Sequence, residues 1–217
     1  MKVESLADMT KRYLEKKIVT NTFKPGQQIK EDDIASKLEI SRPPIREAFK
    51  ALESEGLVIK KPRKGVFVIE MVKTDVIEVY MLKANLYAMA TELAMDQITD
   101  EQLKGLFNLV DKMGNCIHEE HSDIRNYQKF HQKFHMHIMV IAGNKRLEMF
   151  ALNLHKQIRR FSYQALQNSN HLQSSMKYHK RIIENMMAKD KKSASKIMKE
   201  HVFDTMNFLI SIPGLFN

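Results

Sequence analysis

Residues 41–58, SRPPIREAFKALESEGLV, place an apolar stripe and a basic stripe on opposite sides of one short helix. Ile45, Ala48, Phe49 and Leu52 follow the i, i+3, i+4, i+7 spacing of a buried face, while Arg42, Arg46 and Lys50 recur every four residues on the other side. Such a helix docks on its own domain and points arginines at DNA. Pro43 and Pro44 stand in the first turn, where backbone N–H groups have no intrahelical partner and proline does little harm. Upstream, residues 29–38 (IKEDDIASKL) read as a short amphipathic helix, and Glu39-Ile40-Ser41 has the length of the turn in a helix-turn-helix. Downstream, Leu57-Val58-Ile59 and Val66-Phe67-Val68 are β-prone runs on either side of Lys60-Lys61-Pro62-Arg63-Lys64-Gly65. The expected product is a winged helix-turn-helix with a short, basic β-hairpin wing.

Four motifs in order, PGQQI at residues 25–29, IASKL, the 41–58 stretch and a wing ending in Gly65, resemble the N-terminal domain of GntR-family transcription regulators. The resemblance implies a helix starting near Pro43 that enters the major groove, with Arg42 and Arg46 on bases or phosphates and Lys50 on the outer edge. It also implies a wing tip, Arg63, Lys64 and Gly65, that reaches the minor groove. Pro43 stands where a Thr is common in the family, which removes one hydroxyl that would meet a phosphate, and Pro44 follows it.

Composition agrees. The 217 residues carry 35 Lys+Arg against 26 Asp+Glu, a formal charge of +9 that suits a polyanionic partner. Residues 1–70 hold 15 basic and 11 acidic groups and residues 71–217 hold 20 and 15, so the clustering of charge, not its total, locates the DNA-binding surface. A single cysteine, Cys116, cannot form an internal disulfide, which points to a reducing compartment. No apolar run reaches the roughly 18 residues of a membrane helix, and the first residues lead into no secretory segment. A cytoplasmic location is expected.

After about Glu70 strand signals vanish and helical periodicity takes over. Helices are expected near 73–97, 100–120, 122–141, 145–168, 172–188 and 191–211, separated by breaks such as Gly143-Asn144 and Asp190. The chain therefore reads as mainly α, with a winged helix-turn-helix at 1–70 and an all-α antiparallel bundle of about six helices at 71–217. Several of the fifteen methionines fall on apolar faces of these helices, where they fill gaps.

Two pairs of histidines stand out in the bundle. His131 and His135 are four apart, which puts both imidazoles on one face and within reach of a single ion. His179 and His201 lie 11 residues either side of Asp190, so in an antiparallel hairpin they return to the same height. His137 should point away from His135, and His118, His121, His155 and His171 have no partner at ligand spacing.

Residues 71–217 resemble the FCD ligand-binding domain of the FadR subfamily of GntR regulators. The resemblance rests on Phe134-His135, on Gly143-Asn144 eight and nine residues after that histidine, on Tyr178-His179 and on His201. In metal-containing members an Asp and three histidines bind the ion; here His131 takes the Asp position, leaving His131, His135, His179 and His201 as the implied ligands of a divalent transition metal such as zinc or nickel. FCD domains that recognise carboxylic acids carry an Arg and, four residues later, a Glu on their first helix. Lys83 and Tyr87 stand there, so Lys83 meets an anion as a point charge and not as a planar fork.

The expectation is a homodimeric, cytoplasmic DNA-binding regulator, a repressor, that reads a palindromic operator and responds to a small anionic effector, a carboxylic acid, held beside the metal. Two other readings remain open at this point: a regulator that senses the ion itself, and a metal-dependent hydrolase, against which stands the lack of a placed general base, since Glu148, Glu184 and Glu200 only neighbour the histidines in sequence.

Overall fold

A computed structural model describes residues 5–118 and 121–216. The opening residues of the expected first domain, 1–4, and the last two positions of the helix expected at 100–120 lie outside the described residues. Contacts separate two compact units: Met1–Val72 with Lys156–Arg160, and Lys73–His155 with Phe161–Asn217.

The first unit begins with α1 (Leu6–Val19), whose N-terminus is capped by the Ser5 hydroxyl accepting from Asp8 N–H. A strand β1 (Gln28–Ile29) leads to α2 (Glu31–Leu38) and α3 (Arg42–Ser54), followed by β2 (Val58–Lys61) and β3 (Gly65–Val68). Glu39 closes α2 in the left-handed conformation, φ 54°, and this turns the chain into α3. As the periodicity predicts, Ile45, Ala48, Phe49 and Leu52 are buried, in one core with Leu14, Ile18, Ile34, Leu57 and Val66. Truncating Leu52 to Ala there removes about 2–5 kcal/mol.

The wing differs from the expected two-stranded hairpin. β1 pairs antiparallel with β3, Gln28 opposite Phe67 and Ile29 opposite Val66, so β3 lies between β1 and β2 in a three-stranded sheet. Gln28 Nε2 also donates to the Lys64 carbonyl at 2.6 Å. Gly65 takes φ 101°, and a Cβ there would approach Gln28 Nε2 to 2.9 Å, which accounts for glycine at the end of the wing loop. The helix expected from residue 29 starts two residues later because Ile29 is taken by the sheet.

The second unit holds α4 (Lys73–Met95), α5 (Asp100–Gly114), α6 (Ile124–Ile141), α7 (Lys145–Leu166), α8 (Ser169–Met187) and α9 (Lys191–Ser211). The helix expected at 100–120 ends at Gly114. Side chains start these helices where the sequence breaks predict: Thr99 and Gln102 form a reciprocal capping box, and Asp123, Asn144, Asn168 and Asp190 each accept a backbone N–H three residues on. Gly143 at φ 68° supplies the left-handed turn before the Asn144 cap, the physical content of the Gly-Asn pair. α4 packs along α9, α9 along α8, and α6 against α4 and α5. Among the described residues no helix is long and apolar enough to cross a membrane.

Candidate metal centre and DNA-reading surface

α6 presents His131 and His135 from its buried face, α8 presents His179 and α9 His201; the four are 7, 4, 0 and 3% exposed. Asp190 caps α9 at the hinge of the α8–α9 hairpin, which returns His201 to the level of His179, with ring centroids 4.4 Å apart. One ligand nitrogen from each ring lies within 4.8 Å of the others. The other histidines stay outside this group; His137 lines a surface groove beside Gly105.

The hydrogen bonding tests whether an ion fits. His179 Nδ1 is 2.6 Å from the Ser175 carbonyl oxygen, so the proton sits on Nδ1 and Nε2 keeps its lone pair. His135 Nε2 is 3.2 Å from that atom and 3.3 Å from His131 Nε2. With a proton, His135 Nε2 must divide it between two acceptors; without one, its lone pair faces that of His179. A cation accepting all the lone pairs removes the conflict. The spacing suits it, since nitrogens about 2.0–2.1 Å from an ion stand roughly 3.3 Å apart in a tetrahedral set. His201 stacks on His135 at 5.5 Å, and among the described residues its buried Nδ1 has no hydrogen-bond partner. The four residues can hold a transition-metal ion.

Electrostatics keep the rings available. Burial pushes all four histidines well below the usual imidazole range, His179 to about 4, and the charge on Lys83 adds to the effect. They are neutral near pH 7, the form that binds metal.

Lys83 is not a solvated helix residue. It lies on the buried stripe of α4 with Val76, Tyr80, Tyr87 and Ala90 and is 5% exposed. Its Nζ stands 4.8 Å from the Tyr87 ring centre and 5.5 Å from that of Tyr80, and burial pushes its pKa down to about 7. Tyr87 in turn touches His135, ring centres 5.0 Å apart. Lys83, His131, His135 and His201 share a cavity with about 10 Å³ of water-accessible space, and no carboxylate lines it. Sequence reasoning missed its remaining polar lining: Tyr80, Ser162, His171, Ser175 and Thr205. Of these only Tyr80 carried a signal, as the residue three before Lys83 on the same apolar stripe. Glu200, one of the acids near the cluster in sequence, is instead an exposed partner of Lys196 at 3.9 Å.

In the first unit, Arg42, Pro43, Arg46 and Lys50 are exposed on α3, with Pro44 partly covered, and Arg63, Lys64 and Gly65 are exposed at the wing tip. Arg63 takes φ 59° in the tight loop between β2 and β3. The arginines of α3 are already paired, Arg42 Nη2 with Asp32 at 2.8 Å and Arg46 Nε with Glu31 at 2.9 Å. Both acids sit in the first turn of α2, where the helix dipole favours them. That acidic turn was visible in the sequence; its reach to α3 was not.

Residues 78–204 match the FCD domain family and residues 6–68 the gntR family of bacterial regulatory proteins. The HTH-type transcriptional regulator YdhC of Bacillus subtilis is 29% identical over 194 residues, 89% of this chain and 84% of its own. The HTH-type transcriptional repressor GlaR of Escherichia coli is 24% identical over 198 residues, 88% and 90% of the two chains. Among solved structures, E. coli McbR/YncC superposes with a TM-score of 0.81 at 21% identity, covering 96% of this chain and 98% of its own. A GntR transcriptional regulator from Rhodococcus sp. RHA1 gives 0.77 at 20% identity, covering 95% and 98%. These two likenesses show the fold.

Proposed function

The chain belongs to the GntR family of bacterial regulatory proteins, with an FCD domain behind its winged helix, and from that premise we propose a homodimeric repressor whose operator binding responds to a small anion held beside a histidine-bound metal. It is a DNA-binding transcription regulator and not an enzyme. In this reading the division falls at 1–70 for DNA binding and 71–217 for effector binding and dimerisation, and the protein works in the cytoplasm. Two recognition helices related by a two-fold axis read the halves of a palindrome, since one helix per chain reaches too few base pairs for a specific site.

One observation carries the effector class. Four buried imidazoles and a buried lysine converge with no acid among the cavity-lining residues, so the pocket offers a negative ligand both charge and donors and repels a cationic organic one. His131, His135, His179 and His201 would hold the ion; when bound, zinc or nickel supplies a positive centre for an anionic oxygen. Four imidazoles, unlike three and a carboxylate, leave the charge of that ion uncompensated. Lys83 then attracts the carboxylate of the effector from the α4 side, with the rings of Tyr80 and Tyr87 fixing the height of its ammonium.

Cavity size favours a second reading. About 10 Å³ of free space admits one water-sized group, so an organic acid has to open the pocket whereas a bare ion does not. Thermal shift of metal-loaded protein against a panel of carboxylates decides between them: selective stabilisation by one acid supports the effector reading, and a change of DNA affinity on metal loading alone supports ion sensing.

A further inference from the structure

We infer that Glu31 is a positioning residue that makes Arg46 the base-reading arginine of α3, leaving Arg42 to grip phosphate. The inference rests on the DNA-binding function and goes beyond it by assigning different roles to two arginines one helical turn apart.

The distinction lies in which nitrogen each acid holds. Glu31 Oε2 accepts from Arg46 Nε, the side of the guanidinium, and leaves the terminal Nη1 and Nη2 pair free. That pair is what donates in parallel to O6 and N7 of a guanine in the major groove. Asp32 instead takes Arg42 through Nη2, so one corner of the terminal pair is occupied and a two-pronged contact needs the ion pair to break. A single remaining corner suits one phosphate oxygen, which carries no sequence information.

The supports differ as well. The Glu31 side chain is 31% exposed and Asp32 is 70% exposed, so Arg46 is braced by the better-held acid. Glu31 is anchored by Ile34, three residues along α2, which is 3% exposed in the core beneath α3. Lys50, one turn beyond Arg46, is exposed, and no ion pair restrains it among those found in the described residues. It can follow the backbone wherever a phosphate lies.

Simple electrostatics predicts the opposite sign. An acid beside a DNA-reading arginine repels phosphates, so removing it should tighten binding to every sequence. A brace predicts that removing it weakens the operator alone.

The test uses the full-length protein and an operator selected from random duplexes by the wild type. Glu31→Ala should lose about tenfold or more on that operator without losing affinity for a random duplex, and repeated selection should show relaxed preference at a guanine. Glu31→Gln, whose amide oxygen still accepts from Nε, should keep most of the specificity. Asp32→Ala should strengthen operator and random duplex alike. The inference is overturned if Glu31→Ala tightens both DNAs, if it weakens both equally, or if Glu31→Gln fails as badly as Glu31→Ala. A wild type that selects no sequence would sink the DNA-binding reading first, and the inference with it, a result distinct from an operator that Glu31→Ala still reads normally.

Discussion

His135 and His179, 44 residues apart on α6 and α8, hold their Nε2 atoms 3.2 Å from each other, and the His179 Nδ1 proton given to Ser175 ensures that at least one of the two is a bare lone pair. Two buried acceptors at that separation are in conflict unless a proton or a cation lies between them.

The first prediction follows from that conflict. Protein purified without a metal-affinity tag and dialysed against zinc or nickel should contain close to one ion per chain by elemental analysis. His135→Ala with His179→Ala should remove it and leave DNA binding by residues 1–70 in place. A wild type that takes up no metal would make the four histidines packing residues.

Acid should unfold the metal-free helical domain early. Burial lowers the folded-state pKa of these histidines, His179 to about 4, while the unfolded value is about 6.5. Between those values the unfolded chain binds more protons than the folded one, so stability is lost as pH falls from about 6.5 towards 4. Bound metal opposes protonation, so the metal-loaded midpoint should lie at lower pH. Circular dichroism during acid titration, with and without zinc, measures both.

Lys83→Met should move stability and ligand response in opposite directions. Its buried ammonium, with pKa pushed down to about 7, is disfavoured by desolvation, and an apolar side chain of similar length removes that penalty. Melting of the metal-free protein should rise by roughly 2–4 °C for each kcal/mol recovered. Stabilisation by a carboxylate effector should disappear. A variant that melts lower and still responds to the acid would refute the role of Lys83.

On DNA, Arg46→Ala should lose about 1–3 kcal/mol at the selected operator. Arg63→Ala and Lys64→Ala at the wing should weaken binding on all sequences and each lower the slope of log affinity against log salt by about 0.9 if they neutralise a phosphate. Fluorescence anisotropy over a salt series separates the two behaviours.

Light scattering should give a mass near twice 25.4 kDa in the absence of DNA. A single-chain mass both free and on the operator would contradict paired half-sites.

Much of the architecture was legible because it is written in short-range periodicity. The stripe of Ile45, Ala48, Phe49 and Leu52 and the caps at Asn144 and Asp190 are local signals, and local geometry executes them. β1 was not legible, because two residues, Gln28 and Ile29, are too few to alternate and exist as a strand only through β3. Lys83 misled for a related reason. A lysine on a helix usually faces water, and its burial becomes visible only once Tyr80, Ala84 and Tyr87 are recognised as one face. The approach of His131 and His135 to each other follows from helical spacing, whereas the pairing of Glu31 with Arg46 depends on the turn at Glu39, which no periodicity encodes.

The bond from Gln28 to the Lys64 carbonyl bears on how fast the protein lets go of DNA. A free hairpin tip entering a groove surrenders about 1–2 kcal/mol of backbone freedom per residue that becomes fixed. Here the third strand and Gln28 fix much of that loop during folding, so the penalty falls on the folding equilibrium and not on the encounter. Contacts made by Arg63 and Lys64 are then returned almost in full as residence time on the operator, and loosening Gln28 should shorten that time even though the residue itself need never touch a nucleotide.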